Sequence, residues 1–178
     1  MSKIKILFDS YHLYHLPQFD PVIDLLSKDG RFEIFLSTCS ENKKEEIDIC
    51  LSILKSKPGE LIFADSEIER IKKIRKLNLD VFICGWSRYP ISQFVSDKAL
   101  VAMIYHGIGV KPSYWRDNSD RLNVRFVEGQ YRIAQLRENG VKTKLELTGF
   151  TKLDPLFNKS NNNFENLKNL FIYFFLTY

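Results

Sequence analysis

Short, continuous apolar runs alternate with amphipathic stretches of helical length along most of this chain, and no other feature narrows its fold so far. The runs lie at Lys3–Phe8, Arg31–Thr38, Glu60–Ala64, Leu79–Cys84, Ala99–Tyr105, Asn123–Val127 and Lys142–Thr148. Parallel neighbours need long crossovers, and helices supply them on both faces. The pattern therefore predicts an α/β fold with a doubly wound, mainly parallel, Rossmann-like sheet. Ala99–Tyr105, the most apolar run, is expected to be its central strand. Helix signals agree: Pro17 stands where a first helix can start and Gly30 where it stops. Ser40 is expected to cap the second helix, and Asp65 or Ser66 the third. Asn139-Gly140 should close a helix over Gln130–Glu138. A short helix is expected over Ser92–Ser96. The cations Arg70, Lys72, Lys73, Arg75 and Lys76 are read as the solvated face of the third helix.

Length bounds the organisation. At 178 residues the chain suits one domain, since domains run to about 100–200 residues. Residues 1–157 form that domain. From Asn158 the composition shifts to a polar linker, Asn158-Lys-Ser-Asn-Asn-Asn163, followed by an apolar tail to Tyr178. Residues 158–178 read as the truncated start of a second domain. A net charge of +4, spread along the chain, excludes nucleic acid as the expected partner. Cys39, Cys50 and Cys84 lack metal-type spacing and point to reduced, buried thiols in a cytoplasmic setting. No run reaches the roughly 20 apolar residues of a membrane span.

The fold prediction places the candidate chemistry. In open α/β sheets, ligands sit beyond the carboxyl ends of the strands. The loops at that edge collect His12, His15, Trp86, Arg88, His106, Lys111, Glu128 and Asp154. His106 ends the most apolar strand and opens a loop containing Gly107 and Gly109, so it is the first candidate for a general base near neutral pH. The alternative is a strand-capping histidine bonded to a neighbouring carbonyl. Lys111 could neutralise a phosphate, with Arg116 and Arg121 behind it, or these could be solvated loop charges. His12 and His15 could line an acceptor cleft. As a His-x-x-His pair they would need Asp9 or His106 to complete a metal site, and no metal is expected. Tyr11, Tyr14, Trp86, Tyr114 and Trp115 could stack on a polyol or pack as core. The first strand is not followed by a dinucleotide fingerprint, and the chain carries no P-loop, so no cofactor is expected.

Tyr105-His106-Gly107-Ile-Gly109-Val-Lys111, Gly129-Gln-Tyr-Arg132 and Leu147-Thr148-Gly149-Phe-Thr-Lys-Leu-Asp154-Pro155 together resemble the amino-terminal half of the CDP-glycerol glycerophosphotransferases. The likeness spans about residues 3–157. It implies one half of a GT-B-like fold, the acceptor-side domain, with His106 as base. Lys111, Gly107, Gly109, His12, His15, Arg88 and Arg116 would then contact substrate. The implied reaction transfers glycerol phosphate from CDP-glycerol, or another nucleotide-linked donor, to a hydroxyl of a teichoic-acid-like or capsular polymer. A polyol or glycan acceptor of that kind sets the protein in the cytoplasm, with peripheral association at the inner face of the membrane. The donor-binding half is not encoded in these residues, so the chain by itself is expected to be inactive and to bind CDP-glycerol weakly. Two other readings stay open: half of a nucleotide-sugar glycosyltransferase or nucleotide-sugar 2-epimerase, and a non-catalytic ligand-binding domain fragment.

Overall fold

In the computed structural model, which describes residues 2–86, 90–109, 111–116 and 121–157, every apolar run becomes a strand. The strands are β1 (Ile4–Ser10), β2 (Phe32–Thr38), β3 (Glu60–Ile62), β4 (Val81–Cys84), β5 (Leu100–Ile104), β6 (Val124–Val127) and β7 (Lys144–Leu147). They form one sheet in the order β3-β2-β1-β4-β5-β6-β7, and every adjacent pair is parallel. The middle strand is thus β4 rather than β5, because the chain lays three strands on one side of it and three on the other. β5 is interior, hydrogen-bonded to β4 and β6. The winding reverses between β1 and β4, where Asp9 lies beside Cys84. A topological switch point of this kind opens a crevice at the carboxyl ends of both strands.

The helices are α1 (Leu16–Leu26), α2 (Lys44–Lys55), α3 (Glu67–Lys76), α4 (Gln130–Glu138) and a single turn, α5 (Asp154–Phe157). Leu16, Phe19 and Ile23 of α1 and Cys50 and Leu54 of α2 bury one sheet face, against Ile6, Phe8, Ile83 and Ile104. Ile74 of α3 and Leu136 of α4 bury the other, with Phe82, Val101 and Met103. Two predicted helix boundaries are explained by specific hydrogen bonds. The Ser66 hydroxyl accepts from the amide of Glu69 and caps α3. After α4, Gly140 adopts φ +77°, and the amides of Gly140 and Val141 bond the carbonyls of Arg137 and Leu136 in a Schellman closure.

Three local expectations fail. Lys43, not Ser40, stands at the start of α2; Ser40 instead donates its amide and hydroxyl to the Glu67 carboxylate. The stretch after Pro90 forms a single 3₁₀ turn, Ile91–Gln93, rather than a helix over Ser92–Ser96. Arg70 is fully buried, whereas Lys72, Lys73, Arg75 and Lys76 are exposed as expected. Its guanidinium bonds the Asp9 carboxylate at 2.5 Å, the Ser37 hydroxyl at 2.7 Å and the Glu67 carboxylate, and lies 4.8 Å over the ring of Phe94. Burial alone would raise the Glu67 carboxyl, but the Arg70 guanidinium brings it below its ordinary value. The first turn of α3 leans over the ends of β1 and β2, so the arginine facing Asp9 turns inward. Asp9 is thereby committed to an ion pair, not to a metal.

Candidate active site

The loop after β1 forms a 3₁₀ turn, Leu13–His15, that runs straight into α1. Together with the segment after β5 it gathers three histidine rings at the switch point. His15 is buried beneath the others, with its ring 5.8 Å from that of His12 and 5.0 Å from that of His106. The ring packs on Gly85: a Cβ there would sit 2.7 Å from His15 Cγ and Cδ2, so only glycine lets β4 hand over to its loop at this point. The amide of His12 donates to His15 Nδ1 at 3.3 Å. Nδ1 is therefore the acceptor and Nε2 carries the proton, buried and with no hydrogen-bond partner among the described residues. Burial, reinforced by the neighbouring His106 and His12, lowers the His15 pKa to about 2. His15 is a neutral buried donor, not a substrate-facing base.

His106 is half-buried above it. Its Nδ1 lies 2.9 Å from the carbonyl oxygen of Gly85, which can only accept, so Nδ1 holds the proton and Nε2 keeps its lone pair. Burial lowers the His106 pKa; the Gly85 bond works against that, and the charges of Lys152, His12 and Lys111 add to it. The imidazole is thus neutral at physiological pH, the state a base requires. The Gly85 carbonyl fixes the ring, and that bond leaves the other nitrogen basic. The backbone is held as well, because Gln18 Nε2 of α1 donates to the His106 carbonyl at 3.0 Å, while Thr151 Oγ1 donates to the Gln18 carbonyl at 2.7 Å.

His106 opens onto a cleft of about 200 Å³ that it shares with Tyr14, Trp86, Lys111, Ser113 and Tyr114. Gly107 and Gly109 back the cleft through Tyr114 and do not line it. Their Cα atoms pack against Tyr114, whose hydroxyl would lie 2.5 Å from a Cβ at 107 and whose ring would lie 2.9 Å from one at 109. Behind Tyr114, the buried Arg132 places its guanidinium 4.3 Å over the ring, pairs with Glu128 and donates to the Gly107 carbonyl at 3.4 Å. Glu128 is therefore spent on Arg132. The Tyr105 hydroxyl donates to the Tyr114 carbonyl and accepts from Arg125, fastening the same loop from below.

Other expected site residues fall elsewhere. His12 is half-buried, with Nδ1 3.2 Å from a Glu46 oxygen and its ring stacked on Tyr14; it flanks the cleft without lining it. Arg116 is exposed and does not line the cleft, and Asp154 begins α5. Arg121 donates to the carbonyls of Ser96 and Ala99, at the opposite end of β5 from His106. Arg88 lies outside the described residues. Of the aromatics, Tyr14, Trp86 and Tyr114 line the cleft, Tyr11 packs edge-on against Trp86 at 4.8 Å, and Trp115 packs on the core. Among the described residues, no three His, Cys, Asp or Glu side chains gather to hold a metal ion. Gln18, Glu46 and Arg132 were not foreseen as site residues. The one available signal was polar Gln18, three residues beyond His15 on the α1 face that turns inward.

No family model matches the sequence, and no curated protein matches it significantly. Solved structures do match the fold. A UDP-N-acetylglucosamine 2-epimerase from Neisseria meningitidis, bound to UDP-GlcNAc, superposes with a TM-score of 0.59 at 15% identity, over 93% of this chain and 52% of its own. An assigned UDP-N-acetylglucosamine 2-epimerase from Listeria monocytogenes gives a TM-score of 0.58 at 15% identity, over 92% and 49%. A further UDP-N-acetylglucosamine 2-epimerase gives 0.57 at 13%, over 91% and 50%. The shared feature is the fold. This is a Rossmann-like α/β domain of the GT-B-like kind, and the chain spans about half the length of the structures it matches. No glycerophosphotransferase stands among these neighbours, so the finer resemblance gains nothing from them. No described helix is long and apolar enough to cross a membrane.

Proposed function

We propose that the chain is one half of a two-domain nucleotide-sugar enzyme, with a 2-epimerase-type reaction preferred to transfer from CDP-glycerol. The observation that carries the reading is His106: a neutral imidazole, its Nδ1–H held by the Gly85 carbonyl, facing a polar cleft at the carboxyl edge of a sheet shared with nucleotide-sugar 2-epimerases. Epimerisation at a ring carbon needs a base to take a C–H proton, and His106 Nε2 is available for that step. Lys111 supplies positive charge for a departing or bound phosphate oxygen, and Ser113 a hydroxyl for orienting the sugar. Tyr14, Trp86 and Tyr114 offer ring faces for the sugar to lie against.

The CDP-glycerol reading keeps one specific support. No carboxylate lines the described cleft, and an imidazole beside a lysine suits removal of a hydroxyl proton as that oxygen attacks phosphorus. Titrating the chain separately with UDP-GlcNAc and CDP-glycerol distinguishes the two, with the His106 ring protons followed by NMR and Trp86 by fluorescence. The nucleotide-sugar reading expects saturable shifts at both residues with UDP-GlcNAc and weaker ones with CDP-glycerol. The reverse order favours transfer, and silence from both ligands at both residues overturns the assignment of this cleft.

A further inference from the structure

On the sheet face that carries α1 and α2, a groove of about 310 Å³ lies between α1 and the segment that follows β7. Ile83, Leu100, Ala102, Ile104 and Phe126 are among its lining, with Thr151 at one side, and no charged side chain lines it. Parallel sheets normally have both faces covered. Here α3 and α4 pack on the opposite face, while on this one α1 and α2 leave the groove open between α1 and the segment after β7, with Leu100, Ala102 and Phe126 in its lining. Leu100 remains 44% exposed at the groove's end.

The occupant is indicated by the chain itself. Residues 151–157 leave the domain beside this groove, Thr151 lining it, and 21 further residues follow Phe157. The last of them include Leu170-Phe-Ile-Tyr-Phe-Phe-Leu176, an uninterrupted apolar run without charge. We propose that the groove is the docking site of the chain's own segment Leu170–Leu176. The tether from Asn158 to Asn169 reaches up to about 40 Å at the extended span per residue. The groove crosses β1, β4, β5 and β6, roughly 14 Å at the usual strand spacing, so the reach is ample. Chemistry also selects this site. The other apolar hollow, between Leu13–Pro17 and α2, is rimmed by Asp20, Lys43, Glu45 and Glu46, which a segment without charge does not complement. Left in water, an uncharged run of β-formers without proline is an aggregation hazard, which a matching apolar groove removes. This proposal stands independently of the enzymatic reading.

The test places a photo-cross-linker on the segment, as Phe171→p-benzoylphenylalanine in the full chain, irradiates dilute protein and maps the links by mass spectrometry. Links within the same chain to α1, β5 or β6 residues of the groove are expected, and they should be lost in Leu100→Glu at the exposed end. Should Leu100→Glu fail to fold, Phe174→Asp with Phe175→Asp tests the same contact from the segment side and should also lose the links. Links to a second copy, links to the hollow beside α2, links that persist in these variants, or the absence of any residue-specific link each overturn the proposal.

Discussion

Acid should destabilise this domain through His15 in particular. The group titrates near 6.5 when the chain is unfolded and near 2 in the fold, where burial excludes the imidazolium. Above pH 6.5 it is neutral in both states and contributes no pH dependence. As pH falls below 6.5 the unfolded chain takes up a proton that the folded chain refuses, so stability is lost by about 1.4 kcal/mol per pH unit. Between pH 7 and 4.5 the loss is about 2.5 kcal/mol, a large share of the roughly 5–15 kcal/mol that holds a domain together. His15→Asn removes the titration while keeping an acceptor near the position of Nδ1 for the His12 amide. The variant should be less stable at pH 7, because the ring that packs on Gly85 is gone. Its stability should nevertheless change with pH by about 2–3 kcal/mol less than that of the parent over the window. Urea denaturation followed by circular dichroism at pH 7.0, 6.0, 5.0 and 4.5 measures both slopes, and the carboxylates common to the two proteins cancel in the comparison. Equal slopes would refute the reasoning and show that His15 accepts its proton inside the fold.

Four further substitutions test the same geometry. On the proposed reading, His106→Ala should leave the fold intact and, with a donor-binding second domain supplied, reduce turnover by about 10²–10⁴, whereas Lys111→Ala should chiefly weaken binding of a phosphate-bearing substrate; an active His106→Ala protein would remove the base from this site. Arg70→Met should cost about 3–5 kcal/mol in urea denaturation, because Asp9 and Glu67 are left buried without their cation; a loss below 1 kcal/mol would mean that water reaches them. Gly85→Ala should destabilise by about 1–3 kcal/mol as the new Cβ meets the His15 ring, and should shift the His106 ring resonances by moving the carbonyl that holds Nδ1. Unchanged resonances would separate the two histidines.

The sequence by itself determined the strand-and-helix alternation, the parallel winding and the edge at which the loops meet. Each of these depends on periodicity and on local rules such as the Ser66 cap and the Gly140 closure, which neighbouring residues enforce whatever lies elsewhere. It also placed His106 at the end of an apolar strand. What the tertiary structure decided are relations between residues far apart in the chain. Arg70 belongs to a run of exposed cations, and only the arrival of Asp9, 61 positions away, turns it inward. His12, His15 and His106 look equivalent as letters, yet one pairs with Glu46, one is sealed beneath Gly85 and one is left with a free nitrogen on a cleft. The choice among them rests on backbone carbonyls and on burial. Neither has a signature in residue identity, because any amino acid at position 85 brings a carbonyl, and only the packing of β4 against the His15 ring puts that carbonyl where it can select the tautomer of His106.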